Sequence, residues 1–335
     1  MNAISGCALV TGATGSIGPA VVQMLCENGL AVRAVARHTP GAGLLPSTVE
    51  FIPGDITNSG FLDSALNGVR VVFHLAAKVH IFDPPPSLRE ECNRINLAGV
   101  QNIIESAKRN TVERIVFFST INVYGPCNGR AFDESAAPNP EGIYARTKLM
   151  AERLILEAKR SDGQPLGVVL RLAAVYGPRL KGNYQKLVKA LARKRFIQIG
   201  NGSNRRALIY EKDLARAAIL AAFHPAAGNG IFNVSDVNSY SLREILSAIC
   251  TALGRKPPRF SLPVPPMRAL ARAVDAGTRI LNVGSHSKVA LIDKYLEDVA
   301  VDSTRIQQML GFAPQFDLAS GWKDAIAEMK RTKEI

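Results

Sequence analysis

The glycine spacing near the start of the chain constrains the fold more than any other feature. A short β-branched run, residues 7–11, leads into a turn whose glycines recur at three-residue intervals, and a helical pattern follows at once. The first glycine permits a tight turn, the second lets a pyrophosphate approach the backbone, and the third permits close helix–strand packing. This unit predicts a dinucleotide site at the helix N-terminus. The turn residues expected to bind it are Gly12, Gly15, Ser16, Ile17 and Gly18.

The first half of the chain alternates short apolar runs with helix-length segments. The runs have few polar interruptions, which is typical of parallel strands buried on both faces, and they span 7–11, 31–36, 49–52, 69–75, 114–119 and 167–172. Helical patterns separate them at 17–28, 60–66, 88–109 and 143–160. This alternation predicts an α/β fold with a doubly wound parallel sheet of the Rossmann type.

The pattern changes after about residue 175, where prolines and basic residues become more frequent. This change predicts a smaller, mixed C-terminal lobe that binds substrate, with helices at 242–253, 266–281 and 318–330. We expect the dinucleotide-binding domain to comprise 1–174 with 206–240, and the substrate lobe to comprise 175–205 with 241–335.

One helical pattern in this lobe, 267–281, is amphipathic and carries Arg268, Arg272 and Arg279 on its polar side. It could contact a membrane or a partner, but packing on its own lobe is the favoured interpretation.

The formal net charge of +13 indicates an anionic partner. The sequence contains no zinc finger, helix-turn-helix or aromatic-interleaved basic strand, so an anionic small molecule is favoured over nucleic acid. Five scattered cysteines argue against a disulfide framework or a metal site. We see no secretory signal and no apolar stretch long enough to span a bilayer, and therefore expect a cytoplasmic protein without a membrane span.

The end of the second predicted strand bears on the choice of nicotinamide cofactor. An acidic residue there would bind the ribose 2′-hydroxyl of NAD, but the strand ends at Arg37 without a carboxylate. Arg37 could meet a 2′-phosphate, stack on the adenine or remain solvated, and NADP is favoured over NAD. Asp55, with Ile56 beside it, is placed either to bind the adenine or to cap the next helix.

Tyr144 and Lys148 are four residues apart on a predicted helix and therefore share one face. A free phenol titrates near pH ~10 and is a poor base at neutral pH. A neighbouring ammonium and a cationic nicotinamide ring would lower that pKa. Ser119 and Thr120, at the end of the fifth predicted strand, can bond the substrate oxygen on which Tyr144 acts.

Together these residues resemble the extended short-chain dehydrogenase/reductase family, in its nucleotide-sugar epimerase and dehydratase group. The resemblance covers nearly the whole chain through segments 11–18, 54–56, 74–77, 119–125, 144–148, 171–178 and 206–214, with Asn96. It implies an NAD(P) cofactor, a nucleotide-sugar substrate and a homodimer.

The resemblance also implies roles for individual residues. Thr120, Tyr144 and Lys148 would be catalytic, with Lys148 also holding the nicotinamide ribose. Leu75, Ala76, Ala77 and Ser119 would line the cofactor, and Asn96 would be structural. Arg206 and Asn183 would contact the nucleotide diphosphate, because they fall where epimerases hold it. The expected substrate contacts are Thr120, Asn122, Asn183, Arg206 and Val299.

Three departures from the group's pattern narrow the function. Sugar 4,6-dehydratases carry Asp-Glu after the catalytic threonine, whereas this chain has Ile121 and Asn122, so dehydration lacks its acid/base pair. A second diphosphate-binding arginine is replaced by Ile292, with Lys288 or Lys294 as possible substitutes. Val299 falls where some epimerases have a tyrosine, which would leave room for a 2-acetamido group.

The leading hypothesis is a UDP-hexose or UDP-N-acetylhexosamine C4 epimerase that works through a 4-keto intermediate. An NADPH-dependent 4-keto-sugar reductase would use the same residues. A reductase of flavonoid or steroid-like ketones is a third reading, suggested by residues 32–37. A non-catalytic NADP-binding sensor is the non-enzyme alternative, although such proteins commonly lose the tyrosine or the lysine.

Overall fold

The computed structural model describes residues 5–79, 86–127, 129–179, 182–280 and 287–335. The strands are β1 (Cys7–Thr11), β2 (Ala31–Ala36), β3 (Glu50–Pro53), β4 (Val69–His74), β5 (Arg114–Thr120), β6 (Gly167–Leu172), β7 (Ala174–Tyr176), β8 (Gln198–Ile199), β9 (Arg205–Tyr210), β10 (Ile231–Val234), β11 (Ser239–Ser241) and β12 (Ser261–Leu262). The α-helices are α1 (Gly18–Glu27), α2 (Ser59–Ala65), α3 (Pro86–Asn93), α4 (Gly99–Arg109), α5 (Gly142–Glu157), α6 (Asn183–Ala192), α7 (Glu211–Phe223), α8 (Leu242–Ala252), α9 (Val264–Ile280), α10 (Lys288–Leu296), α11 (Thr304–Leu310) and α12 (Leu318–Arg331).

Seven strands form the central sheet in the order β3-β2-β1-β4-β5-β6-β10, and every neighbouring pair is parallel. Helices α1 and α7 cover one face, and α2, α4 and α5 cover the other. Both faces are buried, which explains why the strand sequences are almost continuously apolar. The doubly wound sheet predicted from the sequence is confirmed.

The predicted helix over 88–109 is divided in the structure. A π-helical turn, Arg94–Ala98, separates α3 from α4 and places Asn96 in the protein interior. Such turns insert a residue into the helical ladder and re-aim a side chain. Here the re-aimed side chain contacts the helix that carries Tyr144.

The C-terminal lobe contains a mixed sheet, in which β9 lies between antiparallel β11 and parallel β7, and a small parallel pair, β8 with β12. Helices α8 and α12 bury Trp322, whose ring stacks on Tyr176 at a centroid distance of 4.6 Å. Strand β9 falls in the range predicted for the dinucleotide domain but pairs within this lobe, whereas β10 joins the central sheet. The domain division stays a prediction.

The predicted helices over 242–253, 266–281 and 318–330 correspond to α8, α9 and α12. Residue 281 and the side chain of Arg279 lie outside the described part of the chain. Among the described residues, no helix combines the length and the apolar character needed to cross a membrane.

Candidate active site

The carboxyl ends of the parallel strands place the predicted cofactor residues along one edge of the sheet. Strands β1 and β4 are neighbours, although the chain passes from β1 to β2 on the opposite side. The crevice at this change of direction is where doubly wound sheets bind ligands. Thr11 is in register with Val35 on one side and His74 on the other, so the glycine turn lies at the crevice.

The glycine turn has the shape that a dinucleotide requires. Gly12 has φ +67°, and a side chain there would place Cβ 2.8 Å from the backbone nitrogen of Ala76. At Gly18 a Cβ would lie 2.4 Å from the carbonyl oxygen of Ala13. Gly15 is exposed, and a Cβ there would contact only one turn carbonyl among the described residues. The backbone at Gly15 is therefore open to a phosphate, and these residues fit a dinucleotide.

These geometries predict different outcomes for two substitutions in the turn. Gly15→Val should weaken NAD(P)H binding about tenfold or more at a smaller cost in thermal stability than Gly18→Ala, because the added side chain projects from an exposed position and meets only the Gly12 carbonyl closely. Gly18→Ala should destabilise the fold by about 1–3 kcal/mol, because Cβ would overlap the turn carbonyls. Fluorescence titration with NAD(P)H and thermal unfolding of both variants measure the two effects. Equal cofactor affinity for Gly15→Val and the unmodified chain would contradict the assignment.

Thr11 ties the turn to the segment after β4. Its hydroxyl lies 2.7 Å from Nδ1 of His74 and accepts from the backbone N–H of Ala76 at 3.2 Å. Leu75 also donates its N–H to the carbonyl of Thr11. Burial, with a smaller contribution from cationic Lys148, lowers the pKa of His74 to about 3, so the imidazole is neutral at physiological pH. Leu75 and Ala76 thus lie beside the glycine turn, and the lining of the cofactor by residues 75–77 stays a prediction.

Asp55 and Arg37 lie near each other beyond the ends of β3 and β2. The Asp55 carboxylate accepts from the N–H and the hydroxyl of Thr57, both at 2.9 Å, and so stabilises the turn before α2. Burial acts to raise the pKa of Asp55, but the Thr57 hydrogen bonds and the charges of Arg94 and Arg37 hold it below its usual value. Arg37 is exposed.

The π-helical turn anchors the start of α5, the helix that carries Tyr144 and Lys148. Asn96 accepts from the Lys78 N–H at 2.8 Å and donates to the Lys78 carbonyl and to the Thr147 hydroxyl. The Thr147 hydroxyl donates in turn to the Tyr144 carbonyl at 2.9 Å. The segment after β4 and the first turn of α5 are therefore held together by one buried amide, which fixes the backbone of Tyr144.

Tyr144 is partly exposed, while Lys148 is buried one helical turn away. The Lys148 ammonium lies 3.9 Å above the ring centroid of Phe117. Burial lowers the pKa of Lys148 to about 7, although the carboxylate of Glu152 acts to raise it. Enclosure by the protein raises the pKa of Tyr144 to about 12. With this pKa the phenol is protonated at neutral pH, and a nearby cation is needed to make it a base.

The Ser119 hydroxyl forms a hydrogen bond with another buried side chain. It donates to Glu152, which also holds Arg171 through a bidentate pair with a closest distance of 2.7 Å. Both charged residues are buried, and Arg171 lies above the ring of Tyr124. The prediction that Ser119 bonds substrate or cofactor is untested, but its hydroxyl already has a strong acceptor.

Thr120 ends β5 and begins a short 3₁₀ turn, Ile121–Tyr124. Its hydroxyl accepts from the Asn122 N–H at 3.2 Å, which fixes its side chain at the carboxyl end of the strand. Ile121 is buried in the core, whereas Asn122 is exposed. Neither residue can supply the acid/base pair of a dehydratase, in agreement with the sequence analysis.

The structure brings Arg206 and Val299 together, since they form a parallel bridge at the start of β9. The Arg206 guanidinium donates to the carbonyls of Lys294 and Tyr295 at 2.7 and 2.9 Å, at the C-terminal end of α10. Its charge also acts to lower the pKa of Tyr184, which burial raises to about 12. Asn183 is exposed at the first position of α6. Ile292, at the position expected for a second diphosphate-binding arginine, is buried and apolar and so offers no phosphate contact.

Comparisons with known proteins agree with this geometry. The sequence model of the NAD dependent epimerase/dehydratase family matches residues 8–235. The chain belongs to this family. It is 28% identical over 328 residues to the UDP-glucose 4-epimerase of Vibrio cholerae, covering 94% of this chain and 93% of that protein. It is 29% identical over 265 residues to the sterol-4-alpha-carboxylate 3-dehydrogenase, decarboxylating, of Mus musculus, covering 76% and 70%.

Among solved structures, MoeE5 in complex with UDP-glucose and NAD superposes with a TM-score of 0.77 at 28% identity, covering 98% of this chain and 100% of that chain. The resemblance to the nucleotide-sugar epimerase group of extended short-chain dehydrogenases is thereby confirmed. The protein is an NAD(P)-dependent enzyme of the epimerase and oxidoreductase type.

Two features of this epimerase-family site were missed by the sequence analysis. Arg94 donates to the Thr57 hydroxyl at 3.2 Å and influences Asp55, so it places a second cation near Arg37. Its helical context offered no signal, because the π-helical turn that orients it is not visible in the periodicity. Tyr184 lies within the electrostatic influence of Arg206, and its position next to Asn183 was the only available hint.

Proposed function

We propose that the protein is a UDP-sugar C4 epimerase acting on a UDP-hexose or UDP-N-acetylhexosamine. The observation that carries the proposal is the partly exposed Tyr144 one turn from buried Lys148, on a helix anchored beside the glycine turn. The family and the UDP-glucose 4-epimerase relative support the substrate class.

In this proposal the substrate enters with its diphosphate towards Arg206 and Asn183 and its sugar towards Thr120. A bound nicotinamide would supply the hydride acceptor and donor. Tyr144, as the phenolate that the Lys148 cation stabilises, would take the proton of the 4-hydroxyl as C4 loses its hydride. Once the 4-keto sugar has turned over and C4 has regained a hydride on its other face, Tyr144 would return the proton to the oxygen on C4. Asn122 and Val299 would line the sugar pocket.

Arg206 would have to reach the diphosphate from its bonds to the carbonyls at the end of α10. Anchored in this way it contributes a fixed positive charge close to the substrate lobe. A positive charge held by backbone carbonyls retains its attraction for phosphate, because those carbonyls are neutral dipoles. The proposal therefore has three parts. Arg206 on the substrate lobe would bind the diphosphate, Tyr144 on α5 would be the acid/base, and the glycine turn after β1 would bind the cofactor.

One incubation set tests the proposal. UDP-glucose, UDP-GlcNAc and a UDP-4-keto-6-deoxy sugar are each supplied with and without NADPH, while 340 nm absorbance and product identity are followed. Epimerisation without net change in the cofactor is expected. Conversion of none of these sugars would overturn the proposal.

A second candidate is an NADPH-dependent 4-keto-sugar reductase, which the exposed Arg37 at the end of β2 favours. With Arg94 close by, it offers two cations where a 2′-phosphate would lie. Stoichiometric NADPH loss with the keto sugar in the same incubations would select this reaction.

Replacing Arg37 tests cofactor preference. Arg37→Asp should weaken NADPH binding relative to NADH by about tenfold or more, since a charged hydrogen bond is lost and a like charge is introduced. Fluorescence titration of both cofactors measures the ratio. The exposed Lys323→Asp on α12 makes the same charge change elsewhere and should leave the ratio unchanged. An unaltered ratio for Arg37→Asp would argue against a 2′-phosphate contact.

A further inference from the structure

Large exposed apolar side chains concentrate on one part of the C-terminal lobe. Phe260 is 87% exposed, Ile197 64% and Leu270 58%. Six of the ten such side chains in the described residues lie on β12, α9 or α10 or immediately before β8 or β12, namely Ile197, Phe260, Leu262, Leu270, Val274 and Leu291. Single exposed apolar residues are ordinary on a protein surface, but a concentration of them marks an interaction surface.

Strand pairing places these side chains side by side. Gln198 is in register with Ser261, so Ile197 and Phe260 immediately precede paired positions of two parallel strands. Residues two apart on a strand share a face, which adds Leu262 to the same side as Phe260. Helix α9 begins two residues after β12, and α10 packs on α9. The exposed side chains therefore lie on neighbouring elements of one lobe.

Helix α9 turns a mixed face towards the protein, with Ala271 buried and Arg268 and Asp275 half-buried beside it. Arg268 pairs with Asp293 of α10 at 2.7 Å, and Asp275 accepts from Ser287 and from the backbone of Lys288. Its outward side carries Leu270 and Val274, one helical turn apart. The helix packs on α10, in line with packing on its own lobe, and still leaves these two apolar side chains exposed.

Two basic segments border this apolar surface. Arg193, Lys194 and Arg195 lead into Ile197, and Arg255, Lys256 and Arg259 lead into Phe260. All six are exposed, and in the described part of the chain none of them forms an ion pair. Arg255 bonds the carbonyl of Leu191 at 3.1 Å, which brings the second segment against the first. We define the basic–apolar edge as these six cations with Ile197, Phe260, Leu262, Leu270 and Val274.

We infer that the basic–apolar edge docks this enzyme reversibly on an anionic lipid bilayer. Apolar side chains would enter the headgroup boundary, while the arginines and lysines would bind lipid phosphates. A second copy of this chain is a poorer partner, because a symmetric contact would set six unpaired cations against six more in a molecule of net charge +13. Neither the charge nor the apolar area is needed for the proposed chemistry, so the inference stands independently of it.

The docking also bears on the substrate lobe. The carbonyls that hold Arg206 belong to α10, and α10 packs directly against α9. An enzyme seated by α9 would therefore hold the proposed diphosphate anchor one helix away from the membrane. The cations and the apolar side chains of this edge would each bind the bilayer only weakly. Removal of either set should therefore release the protein.

Sedimentation of the full chain with vesicles tests the inference. We expect binding to phosphatidylcholine vesicles containing about one third phosphatidylglycerol, little binding to phosphatidylcholine alone, and loss of binding as salt rises from about 0.1 M to about 0.5 M. Lys194→Glu/Arg195→Glu/Arg259→Glu and, separately, Phe260→Ser/Leu270→Ser should each weaken binding about tenfold or more.

A matched control makes the same types of change elsewhere on the surface. Lys323→Glu/Lys330→Glu/Met309→Ser alters exposed residues of α11 and α12 and should bind like the unmodified chain. Thermal unfolding checks that every variant is folded. Equal binding by the edge variants and the control, or no binding to anionic vesicles at low salt, would overturn the inference. A dimer that dissociates in the Phe260→Ser/Leu270→Ser variant would show instead that a second copy covers the edge.

Discussion

Replacement of Tyr144 by phenylalanine should reduce turnover by about 10²- to 10⁴-fold, the usual contribution of a positioned acid/base group. The ring would keep its packing on α5, and the Asn96–Thr147 clamp holds the backbone rather than the hydroxyl. Affinity for NAD(P)H should therefore change little. Turnover of the substrate identified by the incubations, together with fluorescence titration of the cofactor, measures both quantities.

Tyr124→Phe is the matched control for the loss of one phenol. The Tyr124 hydroxyl is buried and donates to Asn233 at 2.8 Å, so its removal should lower stability while leaving turnover largely intact. Lys148→Met should lower both turnover and cofactor affinity, because Lys148 is expected to stabilise the phenolate and to hold the ribose. Near-normal turnover in Tyr144→Phe would remove the tyrosine from the chemistry.

Local patterns were sufficient to predict the scaffold of this site. The strand, glycine turn and helix at 7–27 follow one another directly, and Gly12 and Gly18 each lie where a side chain would overlap the backbone. The four-residue spacing of Tyr144 and Lys148 likewise places both on one face of α5 because helical geometry requires it. These features depend on neighbouring residues in the sequence, which is why periodicity and spacing reveal them.

Contacts between distant segments were not predictable in the same way. The bond from Ser119 to Glu152, the anchoring of Arg206 on α10 and the π-helical turn at Asn96 each join residues well separated in the chain. The pairing of α9 is a further example, since amphipathicity indicates two faces but not what the polar one contacts. Arg268 pairs with Asp293, 25 residues away, and only the fold brings these two side chains together.

Replacement of Glu152 by glutamine should destabilise the protein by about 3–5 kcal/mol, the usual cost of leaving one partner of a buried ion pair uncompensated. Arg171 is only 3% exposed, and the Glu152 carboxylate keeps the pKa of its guanidinium above the usual value although burial acts to lower it. Glutamine retains the size of the side chain, but it removes the charge and replaces one acceptor oxygen by an NH2 group that cannot accept from Arg171 or Ser119. Urea unfolding measures the free-energy difference.

Glu113→Gln is the control for the same chemical change at a solvated pair. Glu113 lies 2.8 Å from Arg70, but both side chains are exposed, so the cost should not exceed about 1 kcal/mol. The double variant Glu152→Gln/Arg171→Met should recover part of the loss, because no unpaired charge remains in the interior. If Glu152→Gln proved as mild as Glu113→Gln, water or another charge would have to reach Arg171. The Ser119–Glu152–Arg171 cluster, which joins β5, α5 and β6 beneath the proposed catalytic pair, would then contribute less to stability than its burial and short distances indicate.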